Sequence, residues 1–267
     1  MRRPEANGRI AAFFDLDGTL IARPSLEWRF FAALRQRRAI PIGNYFLWLA
    51  RAVWLAPQGI RMMRHANKMY LRGASVCDSE QGHQRIGQPG LAAPHLLPEA
   101  VEQVAWHAQQ GHGTVLVSGT LAPLAQEVAL ALVVRLAVRG IAASVAVCAT
   151  RLEESGGRWT GRIAGDAMFG EAKGRAVREM AAEKGFDLAQ CYAYGDSVSD
   201  RWMLEAVGRP VAVNASWRLK TLACKKSWPV LTWASEKKWA SEEKPKQNSS
   251  STQGEQRNPE QIWENVG

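Results

Sequence analysis

Short apolar runs and amphipathic stretches follow one another along the chain in an order that predicts an α/β fold. The apolar runs predict strands at residues 9–14, 111–118, 143–149, 190–195 and 210–213. The amphipathic stretches predict helices at residues 121–139, 171–184 and 201–207. Residues 151–163 predict a hairpin that turns at Gly156 and Gly157. Because strands and helices alternate as parallel crossovers require, we expect helices packed on a parallel sheet.

Residues 25–72 have a different pattern, in which tryptophans, aliphatic residues and arginines are interleaved without strand-like alternation. This pattern predicts a helical bundle inserted into the sheet domain. Its most apolar segment, residues 45–56, is shorter than the roughly 20 residues that a membrane-spanning helix needs. A packed cap helix is the favoured interpretation, and an interfacial membrane helix is the alternative.

These patterns divide the chain into three parts. Residues 9–20 and 94–233 form the predicted core, and residues 21–93 form the predicted helical cap. From residue 234 the sequence is rich in Lys, Glu, Ser, Gln and Asn, so residues 234–267 are predicted to be a disordered tail. A chain of 267 residues with 46% hydrophobic content can bury one substantial core and a small second module, which fits this division.

Charge and cysteine content narrow the classes of function. The formal net charge of +9 suits a nucleic acid, an anionic membrane surface or a phosphorylated ligand, and charge alone does not separate these partners. The four cysteines are scattered without a CxxC pair and indicate neither a zinc site nor a disulfide framework. The N-terminal apolar run meets two aspartates almost at once and lacks a cleavage pattern for secretion, so we expect a cytoplasmic protein.

Asp15 and Asp17 directly follow the first predicted strand and stand before Gly18 and Thr19. A sharp turn there can point both carboxylates into one pocket, which suits covalent phosphoryl transfer. Asp15 can attack phosphorus once a cation neutralises the phosphate, and Asp17 can protonate the leaving alcohol and later deprotonate water. An Asx turn with two exposed acids is the alternative, because Asp-Gly is a common turn dipeptide.

Two further polar positions suit the binding of a phosphate group. Ser118 ends the second apolar run before Gly119, so its hydroxyl and the nearby amides can bind phosphate oxygens, and a helix N-cap is the alternative. Lys173 lies at the start of a predicted helix, where the helix dipole disfavours a cation unless an anion is nearby. A bound phosphate is such an anion, and an ordinary surface lysine is the alternative.

A second acidic cluster, formed by Asp196 and Asp200, follows the predicted strand at residues 190–195. Its carboxylate oxygens suit Mg²⁺, which proteins usually bind through one or two carboxylates together with phosphate and water. Asp196 is the predicted direct ligand. Asp200 is a second ligand or orients a metal-bound water or Lys173, and a helix N-cap is its alternative role.

The four clusters resemble, in order and spacing, the four motifs of the haloacid dehalogenase superfamily of hydrolases. The matching residues are DLDGT at 15–19, Ser118, Lys173 and GDSVSD at 195–200. The helical insertion and the EAKG segment around Lys173 look most like the phosphoserine-phosphatase-like branch, subfamily IB. This resemblance implies a three-layer Rossmann-like core with a parallel sheet and an inserted α-helical cap that serves as a mobile lid. It also implies an Mg²⁺-dependent phosphatase that hydrolyses a small phosphate monoester through an aspartyl-phosphate.

The same resemblance implies a role for each motif residue. Asp15 is the nucleophile and Asp17 is the general acid and base. The residues that hold the phosphate are Ser118, Gly119 and Lys173. The groups that bind magnesium are Asp15, the backbone carbonyl of Asp17 and Asp196, with Asp200 in support. An aspartate at position 17 favours phosphatase over dehalogenase chemistry, because ester hydrolysis needs a proton donor that a dehalogenase of this superfamily does without.

The resemblance implies a small phosphorylated substrate, and no nucleic acid partner is expected. Phosphoserine phosphatases of this branch usually carry a glutamate shortly after the first motif. Glu27 is the nearest candidate here, although it falls later, and an exposed position on the first cap helix is its alternative. Two other functions stay open: a phosphotransferase or a phosphatase of a lipid or nucleotide headgroup, and a non-catalytic basic protein that binds membrane or RNA through the cap.

Overall fold

The computed structural model describes residues 9–58, 66–74 and 96–233. The predicted tail and two parts of the predicted cap, residues 59–65 and 75–93, lie outside the described residues. The described strands are β1 (Ala11–Phe14), β2 (Gly113–Leu121), β3 (Val145–Thr150), β4 (Leu152–Ser155), β5 (Arg158–Ile163), β6 (Tyr192–Gly195), β7 (Arg209–Val213) and β8 (Val230–Leu231). Six of them form one parallel sheet in the order β3-β2-β1-β6-β7-β8. The predicted parallel sheet is therefore confirmed.

The centre of the sheet is β1, whose four residues are all fully buried. A strand covered on both faces needs a continuous apolar run, and the sequence AAFF supplies it. Phe14 pairs with Leu116 of β2 on one side and with Tyr194 of β6 on the other. The chain leaves β1 toward β2 and β3, and it later returns to build β6, β7 and β8 on the opposite side. Ligands of open α/β sheets bind at such a switch point, at the carboxyl ends of the strands.

Helices cover both faces of the sheet. The described helices are α1 (Leu26–Gln36), α2 (Ile42–Leu55), α3 (Pro98–Gln109), α4 (Ala122–Val138), α5 (Glu171–Lys184), α6 (Arg201–Leu204) and α7 (Trp217–Lys225). On one face, α3 and α4 pack with α1 over Phe14 and Leu116. On the other face, α5, α6 and α7 pack over Phe13 and Val115. The alternation of inward residues along β1 and β2 thus produces two apolar layers, and the expected three-layer core is confirmed.

Several predicted element ends differ from the structure. β2 continues to Leu121, three residues beyond the predicted end at Ser118, because a bulge between Ser118 and Leu121 keeps the strand paired with β3. The predicted helix at 201–207 ends at Leu204, and α3, α7 and β8 were not predicted. The helix predicted at 171–184 is confirmed as α5. It ends before Gly185, whose left-handed conformation closes the last turn.

The described part of the cap packs on a hairpin from the core. β4 and β5 form the predicted antiparallel hairpin, which turns at Gly156 and Gly157. Trp159 of β5 is buried, donates its N–H to Ala74 O at 2.9 Å and accepts a bond from Gly73 N–H at 2.8 Å. The hairpin is therefore a support on which the segment after the second cap helix rests.

The most apolar predicted segment forms α2, but its packing differs from the prediction. Only Asn44, Ala52 and Leu55 of this helix are buried, and most of its large apolar side chains are exposed. The expectation of a packed cap helix is therefore wrong for one face of α2. None of the described helices is both long and apolar enough to cross a bilayer. The cytoplasmic location and the exact domain borders stay predictions.

Candidate active site

The tight turn after β1 places Asp15 and Asp17 at the switch point of the sheet. Asp15 continues the pairing with β6, since its N–H donates to Tyr194 O at 2.9 Å, and Asp15 is only 6% exposed. Gly18 adopts a φ of 93° and donates to Ile21 O at 2.7 Å, which closes the turn. A Cβ atom at position 18 would overlap Oδ2 of Asp196, so glycine is required here for space as well as for conformation. The alternative of an Asx turn with exposed acids does not apply to Asp15.

A buried lysine joins the two acidic motifs. Lys173 lies in the first turn of α5 and is 3% exposed. Its Nζ donates to Oδ1 of Asp15 at 2.5 Å and to Oδ1 of Asp200 at 2.6 Å. The alternative of an ordinary surface lysine is therefore wrong. The two carboxylates supply the negative charge that a cation at a helix N-terminus needs.

Burial and charge shift the pKa values of the cluster in opposite directions. Burial raises the pKa of Asp15 well above its ordinary value, although the attraction of Lys173 opposes this shift. Burial also raises the pKa of Asp196 to about 6, with a further contribution from Asp200. Burial alone would lower the pKa of Lys173, but attraction by Asp15 and Asp200 outweighs it and raises that pKa. The Lys173 ammonium therefore stays charged beside Asp15, whose ionised form is disfavoured by burial.

Asp200 holds Lys173 and takes part in a capping box at the same time. Its Oδ2 accepts bonds from the backbone N–H and the hydroxyl of Ser197, at 3.0 and 2.9 Å, in a reciprocal capping box. A Cβ atom at Gly195 would lie 2.6 Å from the Cβ atom of Asp200. The end of β6 must therefore be glycine for this acid to approach Lys173. The contact fits the predicted role of orienting Lys173. The predicted N-cap is wrong for Asp200, because its side chain makes no cap hydrogen bond to α6 and Ser197 is the N-cap of the turn.

The carboxylate of Asp17 lies outside this cluster and has its own partners. Its Oδ2 accepts a bond from the hydroxyl of Thr120 at 2.7 Å, and its Oδ1 accepts one from the N–H of Leu26 at 2.7 Å. Thr120 follows the predicted phosphate-binding residues, and Leu26 is the first residue of α1. Sequence reasoning missed both partners, and the only local signal was a hydroxyl residue two positions after Ser118.

Ser118 and Gly119 lie on the same rim as the acids. Ser118 is 1% exposed and its Oγ accepts a bond from Thr120 N–H at 3.2 Å. The hydroxyl of Thr150 donates to Gly119 O at 2.8 Å, which fixes the peptide orientation. The alternative of an N-cap is wrong for Ser118, because α4 begins after Leu121. Both residues line the same cavity as Asp15 and Lys173.

This cavity has a volume of about 970 Å³ and is lined by the core and by the cap. The cap contributes Glu27 together with four aromatic side chains, Trp28, Phe31, Trp48 and Tyr70. The carboxylate of Glu27 pairs with Lys68, which is 1% exposed, and accepts a bond from the Tyr70 hydroxyl at 3.2 Å. Glu27 is thus a partly buried wall residue, and its alternative as an exposed residue of the first cap helix is wrong. Lys68 was missed by sequence reasoning.

The carboxylates fit a divalent cation. Asp15, Asp196 and Asp200 each offer an oxygen, and these atoms lie within 4.8 Å of one another. Hard carboxylate oxygens are the ligands that Mg²⁺ prefers. Two cationic side chains compensate the three acids, namely Lys173 and Arg23, which pairs with Asp196. The contribution of the Asp17 carbonyl stays a prediction.

Comparison with known proteins identifies the class to which this site belongs. The model of the haloacid dehalogenase-like hydrolase family matches residues 12–205, and the chain belongs to this family. The predicted family is therefore confirmed.

Two relatives and one solved structure extend this result. A probable phosphatase of Mycobacterium tuberculosis H37Rv is 34% identical over 237 residues, which cover 85% of this chain and 76% of that protein. A phosphoserine phosphatase of the same strain is 28% identical over 241 residues, or 86% and 72% of the two chains. A crystal structure of a protein with unknown function from Bordetella pertussis Tohama I has a TM-score of 0.65 and 29% identity, and covers 84% of this chain and 99% of its own. One of these relatives is thus a phosphoserine phosphatase, the branch that the sequence predicted this chain to resemble.

Proposed function

We propose that this protein is an Mg²⁺-dependent phosphatase that hydrolyses a phosphate monoester through an aspartyl-phosphate on Asp15. One observation carries the proposal. Three buried carboxylates share a small volume with the buried ammonium of Lys173, while a fourth carboxylate, Asp17, is held beside them by separate partners. Two acids in different surroundings are suited to two different tasks, nucleophilic attack and proton transfer.

In the proposed first step, an Oδ atom of Asp15 attacks phosphorus and the bond to the ester oxygen breaks. Asp17 gives its proton to the departing oxygen, so an alcohol leaves. In the second step, Asp17 takes a proton from a water molecule that attacks phosphorus, and the bond to Asp15 breaks. Inorganic phosphate leaves, and both carboxylates return to their initial protonation states.

The remaining residues bind and orient the phosphate. Lys173 and the hydroxyl of Ser118 face the cavity beside Asp15 and would contact phosphate oxygens, together with the amide of Gly119. Asp200 positions Lys173 through the 2.6 Å contact. Mg²⁺, held by Asp15, Asp196 and the Asp17 carbonyl, would supply the positive charge that reduces repulsion between phosphate and carboxylate.

The first test is hydrolysis of p-nitrophenyl phosphate with Mg²⁺ or with a chelator. We expect release that depends on Mg²⁺ and is lost in Asp15→Asn. The matched control is Asp166→Asn, because Asp166 is an exposed acid that pairs with Arg175 on the surface. Full activity of Asp15→Asn would contradict the nucleophile assignment. Absence of turnover by the wild-type protein on any phosphate ester would favour the non-catalytic binding protein.

A phosphatase of a lipid or nucleotide headgroup is the second candidate, and the walls of the cavity favour it. Trp28, Phe31 and Trp48 offer apolar surface that a serine side chain cannot fill, and Glu27 already pairs with Lys68. We therefore expect a higher kcat/KM for phosphatidic acid in micelles or for a nucleoside monophosphate than for phosphoserine. A clear preference for phosphoserine would reject this candidate and leave the phosphatase itself in place.

A further inference from the structure

One face of α2 presents a row of large apolar side chains to solvent. Ile42, Phe46, Leu49 and Val53 are 77, 70, 57 and 68% exposed, and their spacing of four, three and four residues places them on one side of the helix. Seven of the thirteen large exposed apolar side chains in the described ranges belong to this helix. Single exposed apolar residues are ordinary, whereas a continuous row of them marks an interaction surface.

The opposite face of α2 is fixed to the cap by polar contacts. Asn44 donates to the carbonyl oxygens of Tyr70 and Arg72, at 3.3 and 2.8 Å. Asn67 donates to Trp48 O at 2.8 Å. Because these buried amides would lose their partners if the helix rotated, the apolar row is held toward solvent.

The charge of the same part of the chain is entirely positive. Residues 28–77 contain nine of the 34 Lys and Arg residues and none of the 25 Asp and Glu residues, so the rest of the chain has 25 of each and is balanced. The net charge of +9 therefore equals the charge of this segment in sequence, of which buried Lys68 is offset by Glu27, the residue just before the segment. Arg35, Arg37 and Arg38 are exposed and lie at the end of α1 and in the connection that leads to α2. Polybasic clusters next to an apolar surface attract anionic lipid headgroups.

An exposed tryptophan lies next to the apolar row on α2. Trp54 directly follows Val53 and is 60% exposed, and the guanidinium of Arg51 lies 4.1 Å from the ring centre of Trp54. Tryptophan is enriched where a protein crosses the headgroup level of a bilayer, because its ring is apolar and its N–H is polar. A helix of 14 residues is suited to lie in that layer.

Other occupants of the row fit less well. A second copy of this chain would bring two segments of net positive charge together, and like charges oppose such an interface. Residues 75–95 and 234–267 are mostly polar in sequence and offer few large apolar side chains to cover the row. A bilayer with anionic headgroups complements both the apolar row and the charge.

We propose that the exposed face of α2 docks this protein onto the surface of an anionic lipid bilayer. Ile42, Phe46, Leu49 and Val53 enter the outer acyl region, and the arginines before the helix contact the headgroups. Neither Phe46 nor Leu49 lines the cavity, so docking is separable from the proposed hydrolysis.

Flotation of the full chain with lipid vesicles tests the proposal. The vesicles contain phosphatidylcholine alone or phosphatidylcholine mixed with phosphatidylglycerol. We expect the wild-type protein to float with the mixed vesicles, more weakly at high salt. The double variant Phe46→Asp, Leu49→Asp should lower the partition coefficient at least about tenfold, because two large apolar side chains no longer leave water. Substituting Arg35 and Arg37 by Gln should lower it by about fivefold for each arginine.

The matched controls use exposed residues elsewhere. Leu130→Asp with Val134→Asp changes two exposed apolar residues of α4, and Gln in place of Arg151 and Arg162 removes two exposed charges near the hairpin. Both controls should float like the wild type. No flotation of the wild type, or equal losses in test and control variants, would overturn the proposal. A wild-type dimer that becomes a monomer in Phe46→Asp, Leu49→Asp, measured by sedimentation without lipid, would instead assign this face to self-association.

Discussion

The substitution Thr120→Val removes one hydrogen bond from Asp17 and leaves the shape of the side chain nearly unchanged. Thr120 is 3% exposed, and its hydroxyl lies 2.7 Å from Oδ2 of Asp17. A hydrogen bond to a charged group contributes roughly 1.5–3 kcal/mol. If that bond orients the proton donor in the transition state, its loss lowers the rate by about 10- to 150-fold.

The assay compares kcat/KM for an alkyl phosphate with kcat/KM for p-nitrophenyl phosphate. Both values report steps up to departure of the leaving group, and so exclude hydrolysis of the phosphoenzyme. An alkoxide needs a proton to leave, whereas p-nitrophenolate is stable without one. We therefore expect kcat/KM for the alkyl ester to fall by about 10- to 150-fold, the factor that corresponds to the energy of the lost hydrogen bond. The value of kcat/KM for the aryl ester should fall much less.

Thr114→Val is the matched control for this prediction. Thr114 lies on the same strand and is 4% exposed, but it is six residues earlier, or roughly 20 Å along β2. The substitution Thr114→Val should leave kcat/KM for both esters unchanged. Equal losses for the two esters in Thr120→Val would indicate a general structural defect, and an unchanged rate on the alkyl ester would refute the positioning of Asp17 by Thr120.

Three further predictions concern stability and the cluster around Asp15. Gly195→Ala should lower the free energy of unfolding in urea by about 1–3 kcal/mol, because the added Cβ atom would press on Asp200. The control Gly43→Ala meets no neighbour within 4 Å and should be neutral or stabilising. Equal effects of the two substitutions would contradict the close approach of Asp200 to Gly195. Lys173→Met leaves the buried acids Asp15 and Asp200 without their cation, so it should lower the free energy of unfolding by about 3–5 kcal/mol in the same assay. A loss below about 1 kcal/mol would contradict a buried ion pair. Burial lowers the pKa of His107 well below its ordinary value, so the unfolded chain takes up a proton below about pH 6.5 that the folded chain does not. The free energy of unfolding of the wild type should therefore fall, relative to that of His107→Gln, by up to about 1.4 kcal/mol per pH unit as the pH falls below 6.5. If the two proteins show the same dependence of stability on pH, this prediction is wrong.

Local patterns in the sequence were sufficient to predict most of the core. The buried run of β1, the hairpin at Gly156 and the limits of α5 depend on contiguous residues, so they can be predicted from short windows. The end of β2 could not be predicted in this way. The strand continues past Ser118 because it pairs with β3, a partner about 30 residues later in the chain.

The candidate site shows the same division. Acidic motifs predicted the positions of Asp15 and Asp196 because each follows its own strand. The partners that orient the site were missed, because Thr120 is 103 positions from Asp17 and Lys68 is 41 positions from Glu27. Only the folded chain brings such pairs together, and neither residue has a local pattern that distinguishes it from other polar residues.

Asp17 connects the core and the cap through its two carboxylate oxygens. Thr120 on β2 donates to one oxygen, and the backbone N–H of Leu26 donates to the other. That N–H is one of the donors that a helix leaves unpaired in its first turn, and the helix dipole also favours a carboxylate there. A displacement of α1 therefore removes a hydrogen bond from the proposed proton donor. It follows that a ligand which holds α1 in this position also holds Asp17 in place. The position of the cap and the orientation of the Asp17 carboxylate therefore change together, in a single conformational equilibrium.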